Sequence, residues 1–262
     1  MNNFIISFSH KDICTNILQK FINNDNSNKN LYFDNSQLNK YFINIKEQKY
    51  SELYSFLFKC TKIATNTLCN QNSFFILKLF SELNYEWNFC IFNNIMFNLP
   101  FTLDKIIFIP INYLNSSYKN NNYTKFSNTL VHEKIHIFQR LNLNKWNNII
   151  NLSFKNWILI KNNTQIYNFL KNYDFKKHNI IHIYNPDVTY DFLYLYNKDN
   201  KYYYGIFQMN NTKNSNGNIS IMWFLLSNNN KYILEISNNE NLPKEEHPFE
   251  MFAYKFSDYL LR

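Results

Sequence analysis

Two residues of 262 are glycine, two are arginine, five are proline and four are cysteine. So little glycine excludes a collagen-like repeat. The scarcity belongs to a wider skew: lysine outnumbers arginine 25 to 2, and Asn, Ile, Phe and Tyr are abundant, all choices that AT-rich codons favour. That bias describes a genome before it describes a function. It also removes most of the side chain that usually reads bases. The formal net charge is +8, yet the lysines are scattered and only Lys176 and Lys177 adjoin in a charged stretch. The sequence therefore writes no dense phosphate-binding stripe, and a solvated basic surface accounts for the charge.

The four cysteines, Cys14, Cys60, Cys69 and Cys90, are spaced 46, 9 and 21 apart. These intervals match neither a C-x-x-C redox pair nor a zinc ribbon, so they read as buried free thiols. No apolar run approaches the ~20 residues of a membrane helix; the best, Ile219 to Leu226, has strand length and contains Ser220. The stretch Met1 to Ser7 lacks the basic and apolar regions of a signal peptide, and Asp12 soon follows. The expectation is a soluble chain in a reduced, cytoplasmic compartment, neither secreted nor membrane-bound.

What the chain does have is apolar and aromatic mass, 45% and 19% of its residues. That is enough for a real core in one large domain or two small ones. Asparagine is abundant and argues for polar loops. No internal repeat is visible.

Helical periodicity predicts helices over Lys11 to Asn23, Ser51 to Leu68 and Ser73 to Leu83, giving a mainly helical region over residues 1–100. Asp104 to Ile109 reads as a buried strand bounded by Pro110, and Asn115 to Asn122 as a polar loop. A long helix follows from Lys125 to Asn142, capped by Ser127 or Thr124. Further helices are expected over Asn144 to Lys161 and Thr164 to Tyr173. The period then changes from 3.6 to 2: Ile180 to Tyr184, Tyr190 to Tyr196, Tyr202 to Met209, Ile219 to Leu226 and Tyr232 to Ile236 suggest an antiparallel meander. Pro248 to Leu261 reads as a closing helix with Pro in its first turn and Glu245, Glu246 and Glu250 near its positive end.

One constellation carries chemistry. Inside the long helix, His132-Glu133-Lys134-Ile135-His136 matches H-E-x-x-H. Residues four apart on a helix project from one face a turn apart, so both imidazoles can reach a single Zn²⁺. Glu133 is rotated by about 100° from His132 and need not ligate. It can accept a proton from the metal-bound water and return it to a leaving group. The bland alternative is two ordinary helix histidines.

Thr129, Leu130, Val131, Ile135, Ile137 and Phe138 around the pair resemble the flanks of the same motif in zincin metallopeptidases. Lys134 departs from that pattern, where an uncharged residue is usual. The resemblance covers this helix and the last one. It implies a catalytic zinc with a third protein ligand and an α+β, zincin-like region over residues 101–262 with a metal helix, an antiparallel β meander and a C-terminal helix. Gln139 and Asn142 stand where the metzincin branch has Gly and His, which excludes that branch, and no Glu occurs between His136 and Glu235. Glu250-x-x-Ala253 resembles the helix that supplies the third ligand in gluzincins, which makes Glu250 the implied ligand. A solvated first-turn acid is the alternative reading of Glu250. His247 is the rival ligand.

Other candidates carry less. His178 and His182 lie in a strand-like run, which would separate their Cα atoms by about 13 Å, so they form no ligand pair. Asp258, on the same helical face as Glu250, is a possible hydrogen-bond partner for a ligand histidine, and Tyr254 a possible oxyanion donor. The strand Asp104 to Ile109 precedes the metal helix, as the cleft-bordering strand of zincins does, and would pair with an extended substrate by strand addition.

The resulting expectation is a zinc-dependent peptidase of gluzincin type acting on a peptide or protein: His132, His136 and Glu250 hold Zn²⁺ and Glu133 activates water. The alternative is a non-catalytic basic structural protein, or one associated with nucleic acid, in which the histidines are vestigial. The codon bias together with a lone zincin motif resembles zincin-like proteins of large AT-rich DNA viruses, which would place the chain in a host cytoplasm or virion; AT-rich cellular genomes produce the same bias.

Overall fold

The computed structural model describes residues 4–24, 41–69, 86–93, 98–160, 166, 168–169, 172–173, 180–183, 185, 187, 193–210, 219–226, 232–235 and 242–260. The fold is α+β, with its strands in two separate sheets. The chain packs as two compact units, one reaching Leu141 and resuming at Ala253, the other running from Asn142 to Phe252.

The first unit contains β1 (Ile5–Phe8), α1 (Lys11–Asn24), β2 (Phe42–Ile43), α2 (Ser51–Cys69), β3 (Glu86–Phe92), β4 (Phe101–Leu103), β5 (Ile106–Pro110), α3 (Ile111–Lys119) and α4 (Tyr123–Leu141). Its sheet runs β1-β3-β5-β4, with β2 beside the far end of β3. The pairs β1–β3 and β3–β5 are parallel and β4–β5 is antiparallel. β5 is an apolar run buried at every position and β3 is buried from Phe89 onward, as in strands covered on both faces.

α2 and α4 are locked together by side chains of the helical periodicity. Phe56 packs on Phe126 and Tyr123 at 5.3 and 4.8 Å between ring centroids. Ser127 lies inside α4 rather than at its cap, and its hydroxyl donates to the carbonyls of Tyr123 and Cys60. Trp87 on β3 donates from its indole to Thr65 on α2 at 3.0 Å.

The second unit holds α5 (Leu143–Ser153) and an antiparallel sheet of β6 (Trp157–Ile160), β7 (Ile180–Ile183), β8 (Leu193–Lys198), β9 (Lys201–Asn210), β10 (Ile219–Leu226) and β11 (Tyr232–Glu235). The order is β11-β10-β9-β8-β6, with β7 also on β9. Asp199 and Asn200, both at positive φ, make the two-residue turn between β8 and β9. The closing helix, α6 (Pro248–Leu260), begins in this unit and ends in the first, since the division falls between Phe252 and Ala253.

Several expectations need correction. Of the polar loop expected over Asn115 to Asn122, residues up to Lys119 belong to a helix that starts at Ile111, because Ile111, Leu114 and Ser117 recur at every third position and bury one face. The helix expected over Asn144 to Lys161 stops at Ser153; after a turn at Phe154, Trp157 to Ile160 pair with β8 instead. β1, β2 and β3 put strands among the first hundred residues, where a mainly helical region was expected. The strand at Asp104 starts two residues later: Asp104, at φ 53°, turns the chain between β4 and β5. Ser73 to Leu83 lies outside the described residues, as does most of Thr164 to Tyr173; its described residues Ile166, Asn168, Phe169 and Asn172 are helical.

The described cysteines carry no disulfide. Cys14, Cys60 and Cys90 are buried, and burial pushes the Cys60 thiol up to about 12. No helix among the described residues is long and apolar enough to cross a membrane.

Candidate metal centre

The middle of α4 is buried all round, and His132, Glu133, Lys134, His136 and Gln139 all lie within it. Polar groups placed so cost several kcal/mol unless each is satisfied, so their partners define what the helix is for.

Lys134 is accounted for first. It stands about 200° around the helix from His132 and points to β3, where its ammonium donates to the Glu86 carbonyl and lies 5.1 Å from the centre of the Trp87 ring. Burial lowers its pKa to about 8. The residue that departs from the zincin flank pattern is thus on the opposite face of the helix from the histidine pair.

On that face, His132 Nε2 and His136 Nε2 approach to 3.0 Å. His136 Nδ1 lies 2.9 Å from Gln139 Oε1. An amide oxygen only accepts, so Nδ1 carries the proton and the lone pair of His136 Nε2 is directed toward His132 Nε2. Gln139 is thus placed to hold the proton on Nδ1 and leave Nε2 with its lone pair. In the sequence it counted only as a mismatch to the metzincin pattern, although its i, i+3 spacing from His136 carried the signal.

α4 and α6 meet in antiparallel steps of one turn. Asn128 donates to Asp258 at 2.9 Å, and one turn on, the ring of His132 lies 4.3 Å from that of Tyr254. His132, His136 and Glu250, all buried, each offer one ligand atom, and these atoms lie within 4.8 Å of one another. Asp258 therefore pairs with Asn128 rather than with His132 or His136. Tyr254, 48% exposed, packs on His132.

His247 behaves differently. It precedes Pro248, and its Nδ1 accepts the backbone N–H of Phe249 at 3.1 Å, so it caps the first turn of α6. Its ring sits edge-on to Tyr194, 5.1 Å away, and it is absent from the donor cluster. His178 lies outside the described residues, while His182 sits on β7 opposite Gln208 of β9.

Glu250 is anchored from its own side. Asn185 donates from one amide nitrogen to Glu250 Oε1 at 2.8 Å and to Glu246 Oε1 at 2.6 Å, and all three residues are buried. Burial, then the charge of Glu250, pushes the Glu246 carboxyl well above its ordinary range, which favours its neutral acid. The segment carrying Glu246 lies so close to β9 that only glycine fits beneath it: a Cβ at Gly205 would meet Glu246 Cβ at 2.9 Å and its Cα at 3.0 Å.

Glu133 is 3% exposed. Burial, and secondarily the charge of Glu133, raises the pKa of Tyr113, whose hydroxyl pairs with Thr129 at 3.0 Å. The strand expected to receive a substrate is not an edge. Among the described residues, β5 lies between β3 and β4, and β4 ends the sheet on that side. β4 is itself buried, with the Thr102 carbonyl taken by Arg140.

The donor set of two imidazole nitrogens and one carboxylate, with a fixed tautomer, fits Zn²⁺ better than the all-oxygen shells of Mg²⁺ or Ca²⁺. No protein-family model, curated protein or solved structure matches this chain, so the chemistry of the site is read from its own residues.

Proposed function

We propose that the chain is a zinc-dependent metallopeptidase of gluzincin type, with a zincin-like fold. The observation that carries this reading is the meeting of His132, His136 and Glu250 donor atoms in one buried cluster. When bound, Zn²⁺ polarises a carbonyl and lowers the pKa of a coordinated water.

The chain's own residues divide the remaining work. His132 and His136 present ring nitrogens from one face of α4, and Glu250 presents its carboxylate from α6. Gln139 holds the proton on His136 Nδ1, keeping Nε2 available. Tyr254 packs on the His132 ring and limits its rotation. The Glu133 carboxylate takes a proton from the attacking water and delivers it to the departing amine.

The test is hydrolysis of a degenerate peptide library by the zinc-loaded protein and by Glu133→Gln. The reading expects cleavage by the parent, zinc binding in both, and a loss of at least about 10²-fold in the variant, the scale of general acid–base assistance. Equal turnover by the two proteins would remove Glu133 from the mechanism. A zinc-free protein that binds DNA in a salt-dependent way would favour the non-catalytic alternative.

A further inference from the structure

The amide of Asn185 is placed where nothing in the sequence pattern pointed. It stands 61 residues from Glu246 and 65 from Glu250, yet its Nδ2 donates to both carboxyl groups, at 2.6 and 2.8 Å. Its Oδ1 is committed as well, accepting the backbone N–H of Asp187 at 2.9 Å in a local turn. A backbone N–H can only donate and a carboxylate oxygen accepts, so this network fixes which end of the amide faces Glu250. With its oxygen held by the turn, the amide cannot rotate away from the acids. Asn185, Glu246 and Glu250 are each at most 7% exposed, so water does not stand in for the missing donor.

We propose that Asn185 is the positioning residue of the metal centre, orienting the Glu250 carboxylate toward the histidine pair through its Nδ2 donor. The inference rests on the reading of His132, His136 and Glu250 as zinc ligands and extends it to a residue outside the ligand set. A carboxylate ligand that rotates about its terminal torsion loses part of its affinity in ordering, and that torsion is broad and two-fold when nothing restrains it. An amide pinned on its other side removes that freedom before metal arrives. Outer partners of this kind typically set metal affinity by roughly 10–100-fold.

The experiment compares Zn²⁺ affinity, by competition with a chromophoric chelator, in the full chain and in Asn185→Ala and Asn185→Ser. Serine keeps an oxygen to accept the Asp187 N–H but is too short to donate to the two carboxylates, so it preserves the turn if alanine unfolds the segment. Melting temperatures are measured with and without Zn²⁺. The expected result is a parent that binds Zn²⁺, variants whose metal-free melting temperature is little changed for Ser, and a roughly 10–100-fold weaker Zn²⁺ affinity with a smaller stabilisation by metal. A parent that binds Zn²⁺ alongside an Asn185→Ser variant of the same affinity overturns the role of Asn185 and leaves the ligand set standing. A parent that does not bind Zn²⁺ overturns the ligand set and this inference together.

Discussion

Gly205→Ala is the sharpest probe of how the second unit supports Glu250. Gly205 lies on β9 opposite Trp223 of β10, and an added methyl would stand 2.9 Å from Glu246 Cβ, 3.0 Å from Glu246 Cα and 3.1 Å from Trp223 Cζ3. Two of these neighbours cannot swing away: one is backbone, and the other is attached to it. Glu246 is also tied to Asn185 at 2.6 Å. Overpacking of this kind costs about 1–3 kcal/mol. Losing the flexibility of glycine in the unfolded chain returns about 0.4–1 kcal/mol. The net expectation is a destabilisation of about 1–2 kcal/mol, seen in urea denaturation as a lower midpoint with an unchanged slope. Because Glu246 leads directly into α6, Zn²⁺ affinity should fall as well. A variant as stable as the parent, or more stable, would refute the close approach of this segment to β9.

Three further expectations follow from the same structure. Lys134 carries its proton in the folded state only below about pH 8, against an ordinary 10.5, a displacement worth about 3 kcal/mol. Below pH 8 the folded and unfolded chains are both charged and the cost is fully felt. Between about 8 and 10.5 only the unfolded chain holds the proton, so stability rises with pH in that window. Lys134→Met should thus stabilise by about 1–3 kcal/mol at pH 7, with the gain fading above pH 10 and Zn²⁺ affinity unaltered; chemical denaturation at several pH values checks this. His247→Ala should cost about 0.5–2 kcal/mol as a lost cap while leaving Zn²⁺ stoichiometry intact, and loss of the metal in that variant would make His247 a ligand after all. Glu133→Gln should separate metal binding, which stays, from peptide hydrolysis, which goes.

Much of the architecture was written in local patterns. The periodic spacing of α1 and α2 survives because each buries one stripe against a core, and the aromatic and β-branched runs of β8 to β10 survive as paired strands with a packed middle. α3 was hidden by its composition: Asn115, Ser116 and Ser117 look like loop residues, but three apolar or small positions facing inward outweigh their weak propensity. β6 was hidden by the opposite fault, an apolar run that continues a helical period until pairing with β8 decides its state. The three residues of the cluster could be named from the sequence because H-E-x-x-H is local and Glu250 lies in a recognisable helical context. Gln139 was legible in principle from its spacing. Asn185 was not, since only the tertiary fold brings it to Glu246 and Glu250.

The most direct test is the Zn²⁺ content and affinity of the purified chain beside Glu250→Ala. The account predicts one tightly held Zn²⁺ per chain in the parent and, in the variant, an affinity weaker by at least about 10²-fold, since a donor itself should matter more than its outer partners. A parent without zinc, or a Glu250→Ala variant that holds it equally well, would contradict the central claim.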